Sequence, residues 1–113
     1  MAKLTSTTPD TYKSLVSGTF GATGQSGSFV SDANNNLGTF NVAVWGTFSG
    51  SVTLERSFDG GTTWITCGKD SSGTAATYTA PASLTVSEPE QNVLYRLNCT
   101  AYVSGTINYR ISK

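Results

Sequence analysis

The sequence predicts an all-β fold, a single antiparallel β-sandwich of jelly-roll or immunoglobulin-like topology. Three observations carry that expectation. Short runs of alternating apolar and polar residues recur along the chain, with Gly, Ser, Asn and Pro between them, as strands joined by tight turns require. No segment sustains an apolar repeat of helical period. Charged residues make up only 12% of the chain, against roughly 25% in ordinary soluble domains. Ser, Thr, Gly and Asn fill the gap, beside β-branched and aromatic residues that suit a pleated surface. With 113 residues the chain makes one domain, able to bury about two thirds of its unfolded surface without metal or disulfide staples.

Residues 1–12 read as an extended arm rich in Thr and Ser, with Pro9 opposing a regular start, and the sandwich occupies 13–113. Strands are expected near 13–20, 26–31, 38–47, 51–58, 62–67, 76–79, 83–87, 93–102 and 106–112. The loop Phe48-Ser49-Gly50 reads as a hairpin turn with Gly50 at positive φ. It would pair Gly46 with Val52, Val44 with Leu54 and Phe40 with Phe58 on one apolar face. Arg56 is the misfit on that face, its stem packed inside and its head at the rim. The loop Val103-Ser104-Gly105 repeats the design, pairing Ala101 with Ile107, Cys99 with Tyr109 and Leu97 with Ile111. Arg96, Asn98, Thr100 and Tyr102 then share a polar face with Thr106, Asn108, Arg110 and Ser112. Val16-Ser17-Gly18 reads as a third such turn. Glu88-Pro89-Glu90 ends any strand and reads as a solvated loop.

Composition and charge set the function classes aside one by one. Seven basic and seven acidic residues leave no net charge, whereas nucleic-acid binders carry a basic excess that displaces counterions from phosphate. No apolar stretch is long enough to span a bilayer. The polar run Met1 to Asp10 lacks the apolar core of a secretion signal, so the protein is expected to be made and used without secretion. In that setting Cys67 and Cys99 are expected as free buried thiols. Without a histidine there is no ordinary Ser-His or Cys-His nucleophile pair and no imidazole metal ligand. Asp32-Ala33-Asn34-Asn35-Asn36 has the alternate oxygens of a calcium loop. Leu37 stands where that loop needs Gly, however, and Ala43 where it needs a bidentate Glu. An Asn-rich turn is the expectation. No catalytic residue, metal site or cofactor is assigned, and the chain is read as a non-enzyme.

Two features point to binding. Trp45, Arg96, Tyr102 and Arg110 are expected on solvent-facing sides of strands among small polar residues, a composition that suits a protein interface or a sugar platform. The strands between 38 and 67 contain no Lys, so their edges are weakly defended against pairing with a neighbour.

The run Ser57-Phe58-Asp59-Gly60-Gly61-Thr62-Thr63-Trp64 resembles the Asp box, Ser-x-Asp-x-Gly-x-Thr-Trp, of sialidases and related β-propellers. The likeness implies a structural turn built on Ser57, Asp59, Gly61, Thr63 and Trp64. The chain is too short for a propeller of several blades of about 40–50 residues each. Over residues 38–113 the chain also resembles small virion proteins of tailed bacteriophages. The likeness rests on the run from Gly46 to Gly61 and on the ending from Tyr95-Arg96-Leu97 through Ser104-Gly105-Thr106-Ile107-Asn108-Tyr109-Arg110. In size and style it is similar to the β-sandwich cement, or staple, proteins of some short-tailed phages. That resemblance implies a homo-dimer or homo-trimer on the capsid exterior, made in the bacterial cytoplasm, with the major capsid protein as partner and neither nucleic acid nor membrane. The alternative is a tail or fibre component with a carbohydrate- or receptor-binding sandwich.

Overall fold

Along the long strands every second side chain turns inward, and the burial pattern of Thr39–Trp45 alternates without a break from exposed Thr39 to exposed Trp45. The computed structural model describes residues 15–32, 38–68 and 75–113. The expected arm and most of the Asn-rich turn lie outside the described residues. Among the described residues ten strands follow one another: β1 (Leu15–Phe20), β2 (Gly24–Gln25), β3 (Phe29–Val30), β4 (Thr39–Trp45), β5 (Phe48–Ser57), β6 (Ile65–Thr66), β7 (Thr77–Tyr78), β8 (Ala82–Ser87), β9 (Leu94–Gly105) and β10 (Ile107–Ser112). No helix occurs among the described residues.

The strands form two antiparallel sheets. The first has the order β1-β10-β4-β8; the second has the order β2-β9-β5-β6, with β3 also on β9 and β7 also on β5. The pairing is nested. First pairs with last (β1 with β10), then β2 and β3 with β9, β4 with β8, and β5 with β6 and β7. Nested pairs of this kind, rolled so that β10 meets β4 and β9 meets β5, make a jelly roll. The topology left open between jelly roll and immunoglobulin is thereby decided.

One ladder crosses both sheets. It runs from Ser112 opposite Asn41 to Asn108 opposite Trp45 in the first sheet, then from Gly105 opposite Phe48 to Leu94 opposite Ser57 in the second. The chain turns the corner at Gly46-Thr47 and at Thr106, where Thr106 N donates to Thr47 O at 3.2 Å. Gly46 and Gly105 sit there at φ 120° and 90°. A Cβ on Gly105 would stand 2.7 Å from Phe48 Cα, so the two backbones meet only because no side chain lies between them.

This corner overturns the two expected hairpins. Strands β4 and β5 lie in different sheets, as do β9 and β10, so neither pair is hydrogen-bonded face to face. A glycine at positive φ serves a corner between sheets as readily as a reversal within one. Gly105 keeps its predicted positive φ, but Gly50 does not form a turn. It lies inside β5 at a register shift, where a Cβ would stand 2.6 Å from the Ala101 carbonyl oxygen. Val16-Ser17-Gly18 likewise forms no turn; it runs within β1 opposite Ile111, Arg110 and Tyr109.

Most of the inward positions came through even though the partners did not, because side-chain alternation depends on the strand alone. The bulge in β9 opposite Ser51 and Val52 reverses it, so that Ala101, expected inside, is exposed. Val44, Leu54, Leu97, Cys99, Ile107, Tyr109 and Ile111 are all buried; Phe58, expected beside them, is 46% exposed. Phe29, Phe40 and Tyr95 meet at the centre, with ring centroids 5.0 and 4.7 Å apart. Cys67 and Cys99 are free and buried.

Glu88 departs from the solvated loop expected of it. It is only 3% exposed. Its Oε1 accepts from Arg56 Nη1 at 3.1 Å and from Tyr95 Oη at 2.8 Å, and its Oε2 accepts from Glu90 N at 3.0 Å. An arginine on an inward strand position needs a carboxylate beside it, and the turn after β8 delivers one. The turn is thereby tied to the second sheet.

Candidate interaction surface

The four residues expected at an interface do not share one surface. Trp45 and Arg110 stand on the outer face of the first sheet and Arg96 on that of the second, whereas Tyr102, past a bulge in β9 that reverses the alternation, is half-buried and packs against the core.

On the second sheet the polar groups satisfy one another. Arg96 Nε donates to Glu55 Oε1 at 2.8 Å, and Asn98 Nδ2 donates to Glu55 Oε2 at 3.1 Å. Gln25 Nε2 donates in turn to Asn98 Oδ1 at 3.2 Å. The guanidinium of Arg96 also covers the ring of Trp64, 4.2 Å from its centroid, a cation–π contact that takes one face of that aromatic from solvent. Tyr102 Oη donates to Gly105 O at 2.6 Å, back toward the corner. Every group that suits recognition here already has a partner.

The first sheet differs. Its outward positions are Ser, Thr, Asn and Ala, with Leu15 at one edge, Trp45 near one end and Arg110 in the middle. Arg110 is the single charged side chain on that face among the described residues. Leu15 and Trp45 are 47% and 46% exposed, so apolar surface is offered among small polar groups. Against Trp45 runs a shallow groove of about 310 Å³, walled by Ala43, Val44, Pro81, Ala82 and Ser83. Asn108 lies directly opposite Trp45 and donates from Nδ2 to its carbonyl oxygen at 3.3 Å. Pro81, just before β8, carries no hydrophobic alternation and gave no signal in the sequence; only the strand pairing places it beside the tryptophan.

Arg110 is set apart from the other two arginines. Arg56 pairs with Glu88 and Arg96 with Glu55. Among the described residues Arg110 faces no carboxylate, and its one hydrogen bond runs from Nε to Ser112 Oγ at 3.1 Å.

A second concavity lies between the sheets, about 240 Å³ in volume and lined by Leu54, Arg56, Cys67, Ala76, Leu84, Val86 and Tyr95. Its reactive groups are held quiet. Burial pushes the Cys67 thiol up to about 11, so it stays protonated at neutral pH, and burial with the bond to Glu88 raises the Tyr95 phenol as well. The carboxylate of Glu88 is committed to Arg56 and Tyr95.

The turn over residues 57–64 is a closed network. Ser57 Oγ donates to Asp59 Oδ1 at 2.7 Å and accepts from Gly61 N at 2.9 Å. Asp59 Oδ1 accepts from Thr62 N and Thr63 N at 3.1 and 2.8 Å, and Trp64 Nε1 donates to Gly61 O at 3.0 Å. These groups bond the turn to itself and aim nothing outward. No family model, curated protein or solved structure matches this chain.

Proposed function

We propose that this protein is a structural component of a phage particle that binds the outside of the capsid and bridges neighbouring capsid subunits. The observation that carries the reading is the outer face of the first sheet, nearly uncharged among its described residues and furnished with one half-exposed tryptophan and one unmatched arginine. Such a face meets another protein with little desolvation of charge, while an aromatic and an arginine provide anchors. The resemblance of residues 38–113 to cement proteins of short-tailed phages supplies the partner, the major capsid protein.

Size supports a multivalent arrangement. Four strands about 4.8 Å apart and about six residues long cover roughly 400 Å², half of the roughly 800 Å² each partner contributes to a stable pairwise interface. One copy therefore holds weakly. A homo-dimer or homo-trimer holds firmly, because the second contact forms at high effective concentration. The fibre alternative, with aromatic rings as a sugar platform, draws on Trp45 alone, since Trp64 lies on the opposite sheet under Arg96.

The test is the copy number of this chain relative to the major capsid protein in purified particles from its source. Hundreds of copies per particle are expected. A handful would move the protein to the tail, and none would overturn the virion assignment.

A further inference from the structure

We infer that the first sheet's outer face recognises an extended acidic segment of its protein partner, with a carboxylate on Arg110 and an apolar side chain two residues away in the groove beside Trp45. The inference rests on the capsid-binding reading and names the chemistry of the contact.

Three observations converge on it. Among the described residues Arg110 carries the only charge on the face, and no carboxylate answers it, whereas Arg56 and Arg96 each have one. Its Nε is turned to Ser112 Oγ, which leaves the terminal nitrogens of an exposed guanidinium to take a carboxylate, the anion whose geometry they match. An uncompensated positive charge on an otherwise neutral surface selects a negative partner and repels a positive one.

The groove supplies the second contact. Its walls are apolar, Trp45 on one side and Pro81 on the other, so it accepts an aliphatic side chain.

Register supplies the spacing. Arg110 stands opposite Ala43, two residues before Trp45 on the neighbouring strand, which makes Arg110 and Trp45 diagonal neighbours about 7–8 Å apart. Side chains at i and i+2 of an extended segment are about 6.6 Å apart and point the same way. One such segment therefore reaches both sites at once. A phosphate backbone would ask for several cations in a row, and the described residues of this face hold one.

The experiment measures binding to purified particles freed of this chain. Arg110→Glu should weaken binding about 100-fold or more, and Arg110→Lys and Trp45→Ala roughly tenfold each. Thr100→Glu, on the opposite sheet, should bind like the wild type. All three positions are exposed, and matching melting curves would show that the fold is intact. Added salt should weaken the wild type and leave Arg110→Gln almost unchanged. If the Arg110 and Trp45 variants bind as the wild type does, the inference is overturned while capsid binding stands.

If the wild type binds no particles, the capsid reading falls and the face is judged by a direct titration. The probe is the peptide acetyl-Thr-Asp-Thr-Leu-Thr-amide, followed by NMR at the Trp45 indole N–H and the Arg110 Nε–H. Movement of both signals with this peptide, and not with its Asp→Asn version, supports the inference. Signals that stay in place overturn it.

Discussion

Asp59 shows how a fully exposed carboxylate can still belong to the fold. Hydrogen bonds from Thr63 N and Ser57 Oγ, with Thr62 N beside them, bring its pKa from the usual 3.8 down to about 2. The folded state thus binds a proton less readily than the unfolded state does. Its contribution is fully present above about pH 4 and fades as the pH falls toward 2. Asp59→Asn should therefore melt a few degrees lower at pH 7, and its melting temperature should fall less steeply than that of the wild type between pH 4 and 2. Parallel curves would mean that this carboxylate is not a source of acid lability. Glu88 works by burial instead. Tyr95→Phe removes one donor from it and should lower stability by about 1 kcal/mol in urea unfolding. Glu88→Ala should cost about 2–4 kcal/mol, because it strands both Arg56 and the Tyr95 hydroxyl. Equal losses for the two variants would argue against a network centred on Glu88. The sequence exposed half of this arrangement: Arg56 stood out as a misfit on an inward face, but its partner came from a segment 32 residues away that a strand-breaking Pro made look solvated.

At the scale of elements, strand positions were legible and strand partners were not. Alternation marks a strand wherever it lies, so the segments expected near 38–47, 83–87, 93–102 and 106–112 correspond to β4, β8, β9 and β10. Pairing is set by the path between strands, and short glycine loops do not announce whether the chain reverses or turns a corner. That ambiguity misplaced Gly50, and it divided Arg96 from Arg110, which had read as sharing one polar face. The glycines make the difference measurable. Gly105→Ala should destabilise the domain by about 2–4 kcal/mol, since it adds backbone strain at φ 90° and a clash with Phe48. Gly50→Ala should also destabilise it, through the Ala101 carbonyl rather than through φ. Gly21→Ala, which meets no atom within 4 Å and has no positive φ, should be close to neutral. Gly50→Ala with an unchanged urea midpoint would remove the close approach of β5 and β9 as a constraint.

For the whole molecule, the ladder of residues 41–57 against 94–112 decides how the domain comes apart. Because it crosses from one sheet to the other, neither sheet can lose its centre without breaking hydrogen bonds of the same continuous pair. The sheets are also joined by Glu88, which leaves β8 of the first sheet and ends on Arg56 and Tyr95 of the second. A sandwich whose sheets were linked only by side-chain packing could open one sheet at a time; this one should open as a unit. Native-state hydrogen exchange tests that expectation. Amides of Val42 and Ile111 in the first sheet and of Glu55 and Arg96 in the second should exchange with one common opening free energy, equal to the global value from denaturant unfolding. The two-residue strands β2, β3, β6 and β7 hang on the rim of the second sheet and should exchange faster, through local fraying. Two distinct plateaus, with the second sheet opening below the first, would show that the corner does not couple them. A single plateau would fit the work proposed for the protein, since a clamp between capsid subunits must pass force from one sheet to the other without yielding between them.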